Sequence, residues 1–140
     1  NQVLEGYTPV NVFGSGYENA LAAASAIDVD DGEIEELHCF SLYDHFTLKD
    51  RVSLFDAHMR KMCHGGTVTI NGVDLSVIGT DIEYQEKDIS ALNADLYGEE
   101  PPVRSLLTLG VVTEMLVKSG FDIVEKSLEG NRYSITARRK

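Results

Sequence analysis

Apolar and polar positions change their period several times along this 140-residue chain, and each change marks an element boundary. Residues 10–13 (VNVF) are a short apolar run closed by Gly14-Ser15-Gly16, which predicts a strand entering a tight turn. Tyr17 to Ala26 is alanine-rich and predicts a helix of about ten residues. An acidic, glycine-containing loop leads into a predicted strand from Glu36 to Leu42. Leu48, Val52, Phe55, Met59 and Met62 then recur at spacings of four and three, one apolar stripe on a helix. Thr47 or Asp44 caps its start, and Arg60, Lys61 and His64 lie near its end, where the macrodipole favours cations. Gly65-Gly66 is read as its stop.

Strand Thr67 to Ile70 follows, alternating Val68 and Ile70. Residues 75–97 predict one or two short helices, and GEEPP (98–102) an exposed turn. Thr108 is placed as the cap of a helix through Ser119, with Val112, Met115 and Leu116 inward and Gly120 as terminator. Phe121–Ser127 and Tyr133–Arg138 alternate around Glu129-Gly130-Asn131, a hairpin signal. The order predicts one α/β domain over residues 1–140 ending in an antiparallel hairpin.

Charge narrows the partners. With 12 basic and 23 acidic residues the net charge is -11, so most of the surface repels a phosphate backbone and nucleic acid is not expected. No apolar run approaches the roughly 20 residues that cross a bilayer, and no signal-peptide pattern is present, which predicts a cytoplasmic chain away from membranes. Cys39 and Cys63 lack CxxC spacing and read as reduced, half-buried residues. His58 and His64 are six apart, not the spacing of four that shares a helix face, so no metal site is expected.

Four segments resemble one family in order. DDGEIEELHCFSLYDHF is similar to the acidic loop, fourth strand and following helix start of class I S-adenosylmethionine-dependent methyltransferases, with Leu42-Tyr43-Asp44-His45 at a Leu-Glu-His signature. MCHGGTVTINGVD resembles that family's glycine-glycine turn, strand and terminal aspartate, here Asp74. VTEMLVKSGFDIVEKS and NRYSITARRK resemble its last helix and closing strands. The closest likeness is to small methyltransferases of the type 11-like group, associated with surface-polysaccharide and other small-molecule pathways.

The resemblance implies a Rossmann-like, mostly parallel sheet of seven strands, helices on both faces, and a last strand inserted antiparallel. It implies S-adenosylmethionine as cofactor and a small molecule or sugar as substrate. In one register NQVLEGYTPVNV runs into the second strand, which places the first strand and its Gly-x-Gly loop before Asn1 and Phe13 where the family has a ribose-holding acid. In the other, VNVFGSG is strand one, its Gly14-Ser15-Gly16 the cofactor loop, and Asp28 or Asp30 the acid. Both registers put Phe13, Gly14, Ser15, Gly16 and Asp28 near the cofactor, with Ser41 beside them at the fourth strand's end.

His45 is placed as a general base for an acceptor hydroxyl, or as a partly buried core histidine; Asp44 orients it or caps the helix. Asp74 faces the substrate or caps a loop. The alternative to an active enzyme is a reduced, catalytically inactive relative kept as a binding or assembly module. Exposed sheet edges favour a homodimer.

Overall fold

The computed structural model describes residues 4–10, 16–84, 88–98 and 103–140. Helix α1 (Tyr17–Ser25) precedes β1 (Ile34–Phe40), a 3-10 turn (Tyr43–His45), α2 (Leu48–Lys61) and β2 (Met62–Val73). Helices α3 (Leu75–Glu83), α4 (Ile89–Tyr97) and α5 (Leu109–Lys118) follow, then β3 (Phe121–Glu129) and β4 (Arg132–Arg139). The strands form one sheet in the order β1-β2-β4-β3. β1 pairs parallel with β2, while β4 runs antiparallel to both β2 and β3. Three strands therefore run one way and the last is wedged between them in reverse, the mixed α/β arrangement with a terminal hairpin that the sequence predicts.

Side-chain alternation builds the core. Register aligns Leu37 with Val68 and Ala137, and Cys39 with Ile70 and Ile135, so these residues share one face. Val68, Ile70, Ile135 and Ala137 are all 0% exposed. Ala20 and Ala24 of α1, Leu54, Phe55 and Met59 of α2, and Val112 and Leu116 of α5 join that same cluster. Burying each large aliphatic or aromatic side chain contributes about 1.5–3 kcal/mol.

The opposite face carries His38, Phe40, Thr69, Asn71, Ser134 and Thr136, none of them buried. Helices α1, α2 and α5 pack on the first face, while Val73, on the same side of β2 as Asn71, is buried against α3 and α4. A face of threonine, serine and asparagine offers a helix little apolar area to bury, as on half-solvated sheets. Helices α3 and α4 sit beyond the carboxyl end of β2, where Val73, Ile78 and Leu92 form a second, smaller cluster.

Three expectations are corrected. The first described strand ends at Phe40, two residues before Leu42, because Ser41 adopts φ 48, which a ladder cannot continue. The stripe of α2 is rotated: Leu48 and Val52 are 63% and 47% exposed, while Arg51, Leu54, Phe55, His58 and Met59 are buried. Buried partners for the Arg51 and His58 side chains, described below, let those two polar residues occupy inward positions that an apolar count assigns elsewhere. Gly65-Gly66 does not stop α2, which ends at Lys61; the pair lies within β2. There the register slips between Ile34 and Glu36, and a Cβ on Gly66 would come within 2.9 Å of the Ile34 carbonyl oxygen. Val10, where a strand over 10–13 is expected, is exposed and in no strand, and the rest of that strand with Phe13, Gly14 and Ser15 lies outside the described residues.

Candidate functional site

Open α/β sheets hold ligands beyond the carboxyl ends of their strands. In this chain that end is built by the turn after β1, the start of α1, and the loops that meet at Asp74.

Gly16 precedes α1 with φ 91, and no side chain caps that helix. Tyr17 bolts the start of α1 to the start of α2. Its hydroxyl donates to Asp50 Oδ2 at 2.6 Å and accepts from the Thr47 amide at 3.0 Å, while the Arg104 guanidinium lies 4.5 Å from its ring centroid. The Tyr17 and Thr47 hydroxyls hold the Asp50 carboxyl below its ordinary pKa. Thr47 is the helix cap, accepting from the Asp50 amide.

Ser41 is the one non-glycine residue with positive φ among the described residues, a conformation costing about 1–3 kcal/mol. Asn71 at the end of β2 fixes it: the Ser41 amide donates to Asn71 Oδ1 at 2.8 Å and to the Asn71 carbonyl at 3.2 Å. Arg132 Nη1 donates to Ser41 Oγ at 2.9 Å, tying the hairpin to the turn after β1. A pocket of about 360 Å³ opens here, between Phe40, Ser41, Asn71 and the hairpin residues Arg132 and Ser134.

Asp44 and His45 lie in the next turn and are 2% and 7% exposed. Asp44 Oδ2 accepts from the Val73 amide at 3.0 Å, and its carbonyl accepts from the amides of Arg104 and Ser105. Its carboxylate occupies the space a side chain at residue 72 would need: a Cβ on Gly72 would meet Asp44 Oδ2 at 2.8 Å and the Tyr133 hydroxyl at 2.9 Å. The Tyr133 hydroxyl is buried with no hydrogen-bond partner among the described residues. Burial and the Asp44 charge raise its pKa, against the nearby Arg51 cation. Arg51 is buried as well, donating from Nη1 to Ser105 Oγ and to the Leu106 carbonyl.

Asp74 is a cap for two helices. It accepts from Ser76 Oγ and the amides of Ser76 and Val77 on one oxygen, and from the Leu109 amide at the head of α5 on the other. Burial pushes its carboxyl upward, but these four donors outweigh that and hold it below the ordinary range.

The site residues therefore divide. Gly16, Ser41, Asp44, His45 and Asp74 gather at the strand-carboxyl end. Asp28 does not: its exposed loop lies at the far end of α2, where Lys61 Nζ donates to the Val29 carbonyl and the Gly32 amide to that of Arg60. The 14 residues of α2 separate the two ends by roughly 21 Å. The helix that Asp28 follows runs away from the strand-carboxyl end, which overturns its placement beside Gly16. His45 does not line the pocket. Phe40, Asn71, Arg132 and Tyr133 were missed by sequence reasoning. Only cross-strand register brings them together, and no local motif encodes it.

Both cysteines are free thiols, and burial pushes Cys39 up to about 12, which makes it inert at neutral pH. Among the described residues, no group of three or more His, Cys, Asp or Glu side chains is placed to hold a metal ion, and no helix is long and apolar enough to cross a membrane.

No protein-family model and no curated protein sequence matches the chain. Solved structures do. A SAM-dependent methyltransferase from Methanosarcina mazei superposes with TM-score 0.61 at 13% identity, covering 83% of this chain and 64% of that one. Magnesium protoporphyrin IX methyltransferase from Synechocystis PCC 6803, with bound SAH, gives TM-score 0.56 at 11% identity, covering 84% of this chain and 48% of that one. A SAM-dependent methyltransferase from Archaeoglobus fulgidus gives 0.57 at 10% identity, covering 85% and 64%. The chain spans about half to two thirds of the length of these proteins. It has the class I S-adenosylmethionine-dependent methyltransferase fold.

Proposed function

We propose that this chain is an S-adenosylmethionine-dependent methyltransferase domain acting on a hydroxyl or amine of a small molecule or sugar. One observation carries the reading: the order β1-β2-β4-β3 with its inverted last strand superposes on solved methyltransferases over more than four fifths of the chain. When bound, the cofactor would supply a methyl group on a sulfonium: an acceptor's lone pair would form the new bond to that carbon in line as the carbon–sulfur bond breaks and the neutral thioether leaves with its electron pair. Such a reaction depends mainly on positioning. The described residues fit the cofactor in part. Gly16 offers an uncapped helix start, and Ser41 a fixed backbone at the strand end. Asp28 is at the wrong end to hold a ribose.

In this reading His45 takes the proton of the acceptor, and Asp44 positions the turn that carries it by accepting from the Val73 amide. Asp74 holds the fold rather than the substrate. Saturating S-adenosylmethionine, at about 100 times its dissociation constant, should add roughly 2.7 kcal/mol of apparent stability, read as a raised melting temperature. No shift at saturating cofactor sinks the proposal.

A second reading draws on a specific feature. The carboxylates of Asp44 and Asp74, at the ends of the strands, are engaged in holding the fold together. A domain that binds cofactor without transferring methyl groups is compatible with that. Stabilisation by cofactor without methyl transfer to any of a panel of sugars and amines would select it.

A further inference from the structure

We propose that the pocket on the polar face binds a neutral, polyhydroxylated ring, a sugar unit presented edge-on to the carboxyl end of the sheet. The pocket's volume, about 360 Å³, falls within the range of small-molecule sites. Register lays Phe40, Asn71, Ser134 and Ser127 in one row across all four strands as its floor. Ser41, Arg132 and Glu129 form its rim, with Arg132 directly opposite Glu129 in the hairpin.

The chemistry of this lining selects the ligand. A sugar presents C–H bonds on one face of its ring and hydroxyls around its edge. Phe40, 42% exposed, offers a flat apolar platform whose orientation is set by stacking on His38 at 5.9 Å, itself held edge-on by Tyr7 at 5.1 Å. Hydroxyls both donate and accept, and the rim supplies both senses. Arg132 only donates, Glu129 only accepts, and the serines do either. Asn71 gives its carbonyl oxygen to the Ser41 amide, which leaves its NH2 group as a donor.

An anionic ligand fits less well. Glu129 stands on the rim, and the chain carries a net charge of -11. The left-handed Ser41 backbone also acquires a purpose, since it turns the chain at the point where the rim must open.

This inference deepens the methyltransferase reading by naming a sugar as the substrate class, the pocket holding the ring while the hydroxyl that reaches His45 lies beyond its lining, and it rests on that reading for the transfer but not for the binding. The test is a titration of the isotope-labelled chain, followed by backbone amide NMR, with methyl α-glucopyranoside and myo-inositol. Glucuronate and inorganic phosphate serve as anionic arms. Saturable shifts at Ser41, Asn71, Ser127 and Ser134 are expected with the neutral polyols at millimolar concentration, with no comparable response to phosphate. Phe40→Ala should weaken binding about tenfold, and Ser134→Ala by a smaller factor. Absence of saturable shifts at these residues, an equal response to phosphate, or unchanged affinity in Phe40→Ala would overturn the proposal. Adding S-adenosylhomocysteine to the same samples separates the two ideas. Polyol binding without cofactor binding removes the methyltransferase reading and keeps the pocket. Cofactor binding without polyol shifts does the reverse.

Discussion

The two faces of the sheet are made by alternate residues of the same strands, yet they follow different rules. On the covered face Val68, Ile70, Ile135 and Ala137 are fully buried, and nearby Asp44 is tied to the Val73 amide by one carboxylate oxygen. On the open face Thr69, Asn71, Ser134 and Thr136 keep contact with solvent, and their bonds run between neighbouring strands, as between the Thr69 and Thr136 hydroxyls at 2.9 Å. The difference teaches where to look for chemistry. Buried carboxylates in this fold are structural, while half-exposed hydroxyls and amides remain available to a ligand.

Adjacent positions on β2 give the widest contrast. Ile70→Ala removes a side chain that is 0% exposed and should cost about 2–5 kcal/mol in urea denaturation. Thr69→Val, one residue away on the other face, loses only a surface hydrogen bond and should cost about 1 kcal/mol or less. Equal costs would dissolve the distinction between the faces.

Two glycines sharpen it further. Gly72→Ala places a methyl within 3 Å of the Asp44 carboxylate and the Tyr133 hydroxyl, for an expected loss of about 1–3 kcal/mol. Gly79→Ala in α3 meets nothing within 4 Å and should gain about 0.5–1 kcal/mol from the stiffer backbone. A tolerated Gly72→Ala would mean that the buried polar cluster is looser than its geometry.

Asp74 links α3 to α5, and Asp74→Ala should cost about 1–2 kcal/mol by the loss of its caps. Its folded pKa is depressed, so the unfolded chain binds its proton more readily. That stability is present above the unfolded value of about 3.9 and is lost as pH falls through the folded one. Asp74→Asn should therefore flatten the acid limb of a stability–pH curve.

His58 adds a pH dependence on the covered face. Its Nε2 donates to the Ala24 carbonyl at 2.8 Å and its Nδ1 accepts from the Tyr43 hydroxyl at 2.8 Å, which fixes the neutral tautomer between α1 and α2. Burial holds its pKa below the ordinary value, with only partial relief from the Ala24 carbonyl. Below the unfolded pKa of about 6.5 the unfolded chain takes a proton that the folded chain refuses, so stability declines as pH falls. His58→Gln should remove that slope in thermal melts recorded across mildly acidic pH.

How much of this was legible in the sequence depends on the range of the signal. Helix caps are local: residue type alone gave Thr108 for α5 and narrowed the α2 cap to Thr47 or Asp44, of which Thr47 is the cap. The hairpin around Gly130 was equally clear. Gly65-Gly66 was misread because glycines that end a helix and glycines that let two backbones approach look the same in one dimension. The rotation of α2 was missed because inward Arg51 and His58 depend on partners more than 30 residues away, Ser105 and Ala24. The pocket was invisible for the same reason, since Phe40, Asn71, Ser127 and Ser134 meet only through strand register.

On the proposed reading, ligand chemistry sits at the strand-carboxyl end while the far end of α2 is scaffold. Mapping S-adenosylhomocysteine onto the chain by backbone amide shifts tests it directly. Saturable shifts are expected at Gly16, Tyr17, Ser41 and Leu42, with the loop around Asp28 unchanged. Shifts centred on Asp28 and Lys61, or none at saturating ligand, would contradict it.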